Sequence, residues 1–407
     1  MSFNIALTGL NAANEALSVT ANNLANTATV GFKGSRAEFA DLFASTQQGV
    51  SATAVGNGVA VSEVAQQFAQ GNIETTGNNL DLAISGNGFF TVSDNGALEY
   101  TRDGQFQLDA DGNVVNAQGL HLQVYPPLAN GGFNTGGLAD LSLTTNESAP
   151  QATSTAQITA NLPANATQPP DATFSPTDAN SFNNSTSLTV YDSLGAAHTA
   201  TLYFIKGATA NTWSTQLTVD GTAVGTPQAL TYSNAGALTA PANGNITFPA
   251  YTPATGAAAM NMVFNFGNTT QYGDNFGVTA VQQNGFTTGK LTGISIDSTG
   301  VVQARFTNGR SINLGQVAMA NFANPQGMQQ LGNASWAATN ASGAAVAGVA
   351  GNSGFGTIQS GSVEESNVDT TSALVDMITA QRDFQANAQM IQTDNQITQT
   401  IINIRNG

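Results

Sequence analysis

The chain has 407 residues and no cysteine, which excludes disulfides and thiolate metal sites. Nine basic residues against 25 acidic ones leave a formal net charge of −16 and no basic stripe, which excludes nucleic acid or an anionic membrane surface as a partner. Charged residues make up only 8% of the sequence, against about 25% in ordinary soluble domains; Asn, Gln, Ser and Thr stand in their place, and such faces cost less to dehydrate beneath a neighbour than ionic ones.

At the amino terminus Phe3, Leu7, Leu10, Asn14, Leu17, Ala21 and Leu24 alternate spacings of four and three, the pattern of a coiled-coil seam with one polar position. Gly9 inside this helix costs about 1 kcal/mol. The apolar side chains of the seam are too few to offset the ordering of the whole segment, so the helix is expected to be frayed in isolation and to form by packing on another. No basic residue precedes Lys33, so the segment does not read as a secretory signal, and no run of about 20 apolar residues offers a membrane span.

From Thr75 to Val124 the text is strand-like. Leu82 and Ile84 alternate, Phe89 to Val92 is an apolar run, and Asp94-Asn95-Gly96, Asp103-Gly104 and Asp111-Gly112 punctuate the residues after it. A small, mostly antiparallel β domain is expected, with the Pro-, Gly- and Asn-rich stretch from Pro126 to Pro150 as its exit. A second all-β unit then reaches roughly to Asn284, with strands around Leu188 to Tyr191, Ala200 to Phe204 and Trp213 to Val219 and a turn at Asp192 to Gly195. Strand text resumes at Leu291 to Ile296 and Val301 to Phe306 around a turn at Asp297 to Gly300.

The carboxy-terminal segment is the stronger helix. Neither Gly nor Pro occurs from Ser362 to Asn406, and Ser366 followed by Asp369 is the expected capping pair. Leu374, Met377, Gln381, Phe384, Ala388, Ile391, Asn395, Thr398 and Ile402 repeat the seam, and Met390, Ile397, Ile401 and Ile404 form a second stripe. A two-helix hairpin covers only one of these faces. The seams therefore call for each other or for a neighbouring chain, unless both stripes pack in an ordinary globular core. If the termini pair, simple nesting sends the segment after Asn284 back to the first β domain.

The expected fold is mainly β with an α-helical coiled-coil terminal domain: a linear multidomain chain with paired N- and C-termini and a nested insertion of two β domains. Its parts are a terminal helical domain at 1–30 with 366–407, a connecting segment at 31–74 with 355–365, a first β domain at 75–149 with 285–354, and an outer β domain at 150–284. No catalytic, cofactor or metal site emerges. His121 and His198 lie far apart in strand-like text. Gly285 to Gly289 with Lys290 is one residue short of a phosphate loop and lacks its Ser or Thr, and it reads as a turn. Asp109 to Gly112 starts like a calcium loop, but no Glu closes it, so a hairpin turn is expected there too.

Several segments carry a family resemblance in order: ANNLANTATVGFK at Ala21 to Lys33, GNGVAV at Gly56 to Val61, TGNNLDLAISGNGFFTV at Thr76 to Val92 and YTRDGQFQLDADGNVVNAQG at Tyr100 to Gly119. TVYDSLGAAHTATLYF at Thr189 to Phe204, LGQVAMANFANPQGM at Leu314 to Met328 and VEESNVDTTSALVDMITAQRDFQANAQMI at Val363 to Ile391 continue it. The sequence resembles the bacterial flagellar rod and hook axial protein family. The long insertion between Pro150 and Asn284 favours the hook branch over the distal rod branch. Asp383 and Phe384 depart from the family's usual small residue and Tyr. The resemblance implies a structural, non-enzymatic subunit without cofactors that forms a helical homopolymer. It also implies contacts with the distal rod protein, hook cap and hook-filament junction protein, and passage through the flagellar type III export apparatus to an extracellular hook without a cleaved signal. Asn22, Asn23, Leu24, Asn26, Thr27, Gly31, Phe32 and Lys33 are the signature residues it singles out. Composition alone would also permit a secreted β-rich surface adhesin.

Overall fold

A computed structural model describes residues 2–42, 56–143 and 147–406. The chain divides into two units, one comprising 1–144, 293–304 and 311–407, the other 145–292 with 305–310. The first unit opens with α1 (Ser2–Ala25), continues through β1 (Ser35–Asp41) and β2 (Val59–Gln66), and closes with α2 (Thr370–Asn406). β1 and β2 pair antiparallel from Ser35 opposite Gln66 to Asp41 opposite Val59. The expected connecting segment is thus partly sheet, because SRAEFAD and VAVSEVAQ both carry strand-forming residues. Residues 43–55 of that connection lie outside the described residues.

The helices end where local chemistry ends them. After Ala25 the Asn26 amide and side chain both bond the Asn22 carbonyl, and the Thr27 hydroxyl donates to Leu24 O, so the last carbonyls of α1 find partners. At the start of α2 the cap is Asp369 rather than the expected Ser366: its carboxylate accepts the Ser372 amide at 2.7 Å, the third helical position. The Ser366 hydroxyl accepts the Val368 amide instead, one turn too early to cap.

The β part of the first unit is built around the strand Phe89–Asp94. Successive side chains on a strand point to opposite faces. Phe90 and Val92 accordingly enter a core with Leu82, Ile84, Leu122, Val124, Val302 and Val317, while Phe89 joins Tyr100, Phe322, Met328 and Trp336 in a separate aromatic cluster. Asn95 and Gly96, both at positive φ, close the two-residue turn to Ala97–Thr101. Asp109 accepts the amides of Asp111 and Asn113, making the loop that resembles a calcium site the tip of a hairpin between Gln107–Leu108 and Val114–Val115. The returning chain completes the same sheet: Ser311–Val317 pairs with His121–Tyr125, Met319–Asn321 with Phe89–Asp94, and Ser335–Ala337 with Ala97–Thr101. The Pro126 to Pro150 stretch leaves later than expected. Ala139–Asp140 still pairs with His121–Tyr125, and Leu141 and Leu143 are buried in the core.

Gly104 carries a prediction of its own. Its carbonyl accepts the Leu82 amide at 2.9 Å, and a Cβ there would sit 1.7 Å from the Leu82 carbonyl oxygen, which is backbone and cannot swing aside. Gly104→Ala is expected to destabilise this unit by about 3 kcal/mol, read as a lower denaturation midpoint with an unchanged slope.

The second unit packs two sheets on one core. Asn184–Tyr191, Ala197–Lys206, Thr212–Val219, Thr222–Tyr232 and Leu238–Ala240 form an antiparallel meander. In the other sheet Thr155–Pro163 is central, parallel to Val263–Asn265 and Thr270–Tyr272 and antiparallel to Gly277–Gln283. Inward side chains such as Ile158, Leu162, Leu202, Phe204, Trp213 and Phe264 fill the space between them. Gly285 to Gly289 is not the expected turn. It runs extended, and the Phe286 and Gly289 amides are taken by the Gln151 and Ser148 carbonyls, so they cannot cradle a phosphate.

Candidate assembly interface

α1 and α2 pair within one chain. Gly34, just past α1, approaches Asn23 and Val368, while Gly9 near the start of α1 meets Asn387, so the helices run antiparallel. The face that α1 turns inward is made of small residues. Ala6, Ala12 and Ala13 are buried, and a Cβ on Gly9 would come within 2.6 Å of the Asn387 side chain; on α2 the buried positions are Ala373 and Ala380. Gly9, a cost to the isolated helix, is thus what permits close approach to its partner. A groove of about 830 Å3 runs between the helices and the β1–β2 pair, lined by Ala12, Ala16, Phe39, Asp376 and Asp383 among others.

The periodic seams lie elsewhere. Phe3 and Leu7 are exposed, Leu10, Leu17 and Leu24 half-buried, and Asn14 and Ala21 exposed. On α2, Met377, Phe384, Ala388 and Ile391 are half-buried, whereas Leu374 and Gln381 are exposed. The second stripe is the most open: Met390 and Ile397 are exposed, Ile401 is 61% exposed and Ile404 76%. Length explains the openness from Ile397 onward. At 1.5 Å per residue the 37-residue α2 outreaches the 24-residue α1 by about 20 Å. With Gly9 opposite Asn387, α1 runs out before Ile397 is reached. Val375 and Ile378, outside either predicted stripe, are exposed as well and widen the apolar surface.

The signature residues around α1's end have a different task. Asn23 clamps Ser35 twice, accepting its amide at 2.8 Å and donating to its carbonyl at 2.6 Å. Asn26 accepts the Thr29 hydroxyl, and the Phe32 carbonyl accepts the Asn367 amide. Asn22 is exposed, and its carbonyl accepts the Asn26 amide and side chain. Gly31 is left-handed at φ 70° with its Cβ direction blocked 2.5 Å away by the Asp103 amide nitrogen, and its own amide donates to Glu364 O at 2.8 Å.

Lys33 then enters a buried ionic cluster that periodicity does not mark. Its ammonium lies 2.6 Å from Glu364 Oε1, and Arg102 Nη1 lies 2.9 Å from Glu364 Oε2; Lys33 is 1%, Arg102 5% and Glu364 0% exposed. Lys33 also donates to Ala69 O, the Gly71 amide to Glu364 Oε1, and Arg102 Nη2 to Gly86 O. Burial lowers the Lys33 pKa, with Glu364 opposing and Arg102 adding to the shift. The outgoing strand, the first β body and the chain entering α2 are tied together here. The signal that could have found it is compositional: Lys33 and Arg102 are two of only nine basic residues, and both stand inside family-like motifs.

The fold is thus a pair of terminal helices whose apolar stripes the single chain leaves uncovered, on a chain whose middle forms β units. The profile described as flagella basal body rod protein matches residues 3–33, and that of the flagellar hook protein FlgE/F/G D1 domain 83–169. The flagellar basal body protein FlaE D2 domain matches 161–286, and the flagellar basal body rod FlgEFG protein C-terminal 359–404. The flagellar hook proteins FlgE of Salmonella typhimurium and Escherichia coli are each 40% identical over 417 aligned residues, covering 100% of both chains. That of Rhizobium meliloti is 32% identical, covering 98% of this chain and 97% of its own. In fold, the chain is similar to the crystal structure of Helicobacter pylori flagellar hook protein FlgE2, with a TM-score of 0.53 at 13% identity, over 70% of this chain and 99% of that one. The chain belongs to the flagellar hook protein family and is a structural component of the bacterial flagellum.

Proposed function

We propose that identical chains polymerise through the exposed stripes of α1 and α2 into a hollow helical tube, the extracellular hook, which joins rod to filament and transmits torque while it bends. The observation that carries this reading is the row Met390, Ile397, Ile401 and Ile404 left in water by a single chain, together with Phe3, Leu7, Leu374 and Ile378. Large apolar side chains at helical spacing mark a face awaiting a partner. A second copy presents the same stripes, and repeated head-to-tail contacts that do not close generate a helix. The helices then form the inner wall, and the β units, with few charges, meet neighbours through polar contacts that can slide. The distal rod protein, hook cap and junction protein are the partners at the ends of the tube, and the type III apparatus exports the subunit.

Deleting residues 2–30 or 366–407 is the test. Either deletion is expected to leave the second unit folded, by its thermal transition, while no tubes appear by electron microscopy under conditions where the full chain assembles. Tubes formed by a chain lacking both ends would refute the proposal.

A further inference from the structure

The motif from Thr189 to Phe204 contains a cluster that assembly does not use. His198, at the start of the strand Ala197–Lys206 and 7% exposed, stands between two carboxylates: its Nδ1 is 2.6 Å from Asp220 Oδ2 and its Nε2 3.2 Å from Asp192 Oδ2. Asp192 lies fully buried in the turn before that strand, and its other oxygen accepts the Leu194 and Ala196 amides at 2.9 Å each. Its Oδ2 also accepts the Thr255 hydroxyl at 2.7 Å, and Ser193 Oγ accepts the Ala258 amide, so the segment around residues 255–258 is fastened to the same turn. Asp220 accepts the Thr199 amide. The Tyr251 hydroxyl faces Asp220, and its ring stands edge-on to His198 with centroids 6.1 Å apart.

We propose that His198 is a pH-set clasp: as an imidazolium it locks the 192–196 turn, the Asp220 turn and the 255–258 segment together, and on losing a proton to solvent it releases the last of these. The geometry requires the charged ring. An ionised carboxylate only accepts, so two carboxylates at hydrogen-bond distance from both ring nitrogens need two N–H donors, which only the imidazolium has. Neutral imidazole keeps one donor, which the shorter contact assigns to Asp220. Its Nε2 lone pair then faces Asp192 Oδ2, the atom that holds Thr255. Among the described residues, the titratable groups facing His198 are Asp192, Asp220 and Tyr251, and none supplies a competing positive charge.

The proton equilibria agree. Burial alone would lower the His198 pKa, but the bonds to Asp220 and Asp192 and their charges outweigh it and raise it. Burial pushes Asp192 upward, yet bonds from Thr255, His198, Ala196 and Leu194 hold it down at about 2. Since the folded His198 pKa is raised, its stabilisation is complete below the unfolded value of about 6.5 and is lost as pH rises through the folded value.

The test uses dilute full-length chain labelled with 13C and 15N at histidine, with His121→Gln assigning the two signals. The His198 midpoint is expected above about 6.5, with the Leu194, Ala196 and Ala258 amide resonances of uniformly labelled chain shifting in step. Asp220→Asn should lower that midpoint. Thermal stability of the second unit should fall as pH rises through the midpoint, and His198→Gln should abolish this dependence. A midpoint at or below about 6.5, one unmoved by Asp220→Asn, or wild-type pH dependence persisting in His198→Gln overturns the proposal.

Discussion

Replacing Glu364 with alanine is expected to destabilise the first unit by about 3 to 5 kcal/mol, the cost of leaving buried charges without their counter-ion. Lys33 and Arg102 both reach Glu364 in a nearly water-free site, and the Gly71 amide loses its acceptor at the same time. An exposed ion pair such as Arg36–Glu38 offers a control, because removing it should cost about 1 kcal/mol or less. Glu364→Gln should fall between these, since its amide oxygen still accepts from one cation. Chemical denaturation of the dilute full-length chain measures all three. The destabilisation should be confined to the first unit, and amide exchange at Gly71 should quicken most because its acceptor is the Glu364 carboxylate, whereas the Gly31 amide keeps the backbone carbonyl of residue 364. Equal costs for the Glu364→Ala and Glu38→Ala variants would contradict the assignment of Glu364 as the tie between the outgoing and returning chain.

Changing Ile397, Ile401 and Ile404 together to serine is expected to abolish tube formation while leaving the dilute monomer's stability within about 0.5 kcal/mol. All three side chains are exposed in the single chain, so the fold has little to lose, and Ser and Ile have similar helix propensities. Covering each isoleucine with a neighbouring subunit is worth about 1.5 to 3 kcal/mol. Since the three are only 53%, 61% and 76% exposed, losing them removes about 3 to 6 kcal/mol per subunit, which raises the critical concentration for assembly by roughly 10²- to 10⁴-fold. Sedimentation across a concentration series reads this directly. Assembly at the wild-type critical concentration would show that the stripe is not buried between subunits.

Several elements were legible in the sequence because their causes are local. The helices at both ends follow from apolar spacing and from the absence of Gly and Pro after Ser362. The turns at Asn95-Gly96, Asp192 to Gly195 and Asp297 to Gly300 follow from side chains that accept nearby amides and from glycines free to take positive φ. The mainly β character of the middle was likewise readable, since turn chemistry and strand-forming runs act over a few residues.

Other features were decided only by the tertiary structure. Periodicity located apolar faces on α1 and α2 but could not tell which face the chain itself covers. That choice went to Gly9, Ala12, Ala13, Ala373 and Ala380, because small residues let two backbones approach and leave the larger side chains outside. The β1–β2 pair, the burial of Leu141 and Leu143, and the meeting of Lys33, Arg102 and Glu364 depend on contacts between residues distant in the chain. No local rule carries that information: spacing and turn chemistry fix a segment's own shape, whereas burial and ion pairing are settled by whichever remote segment comes to lie against it.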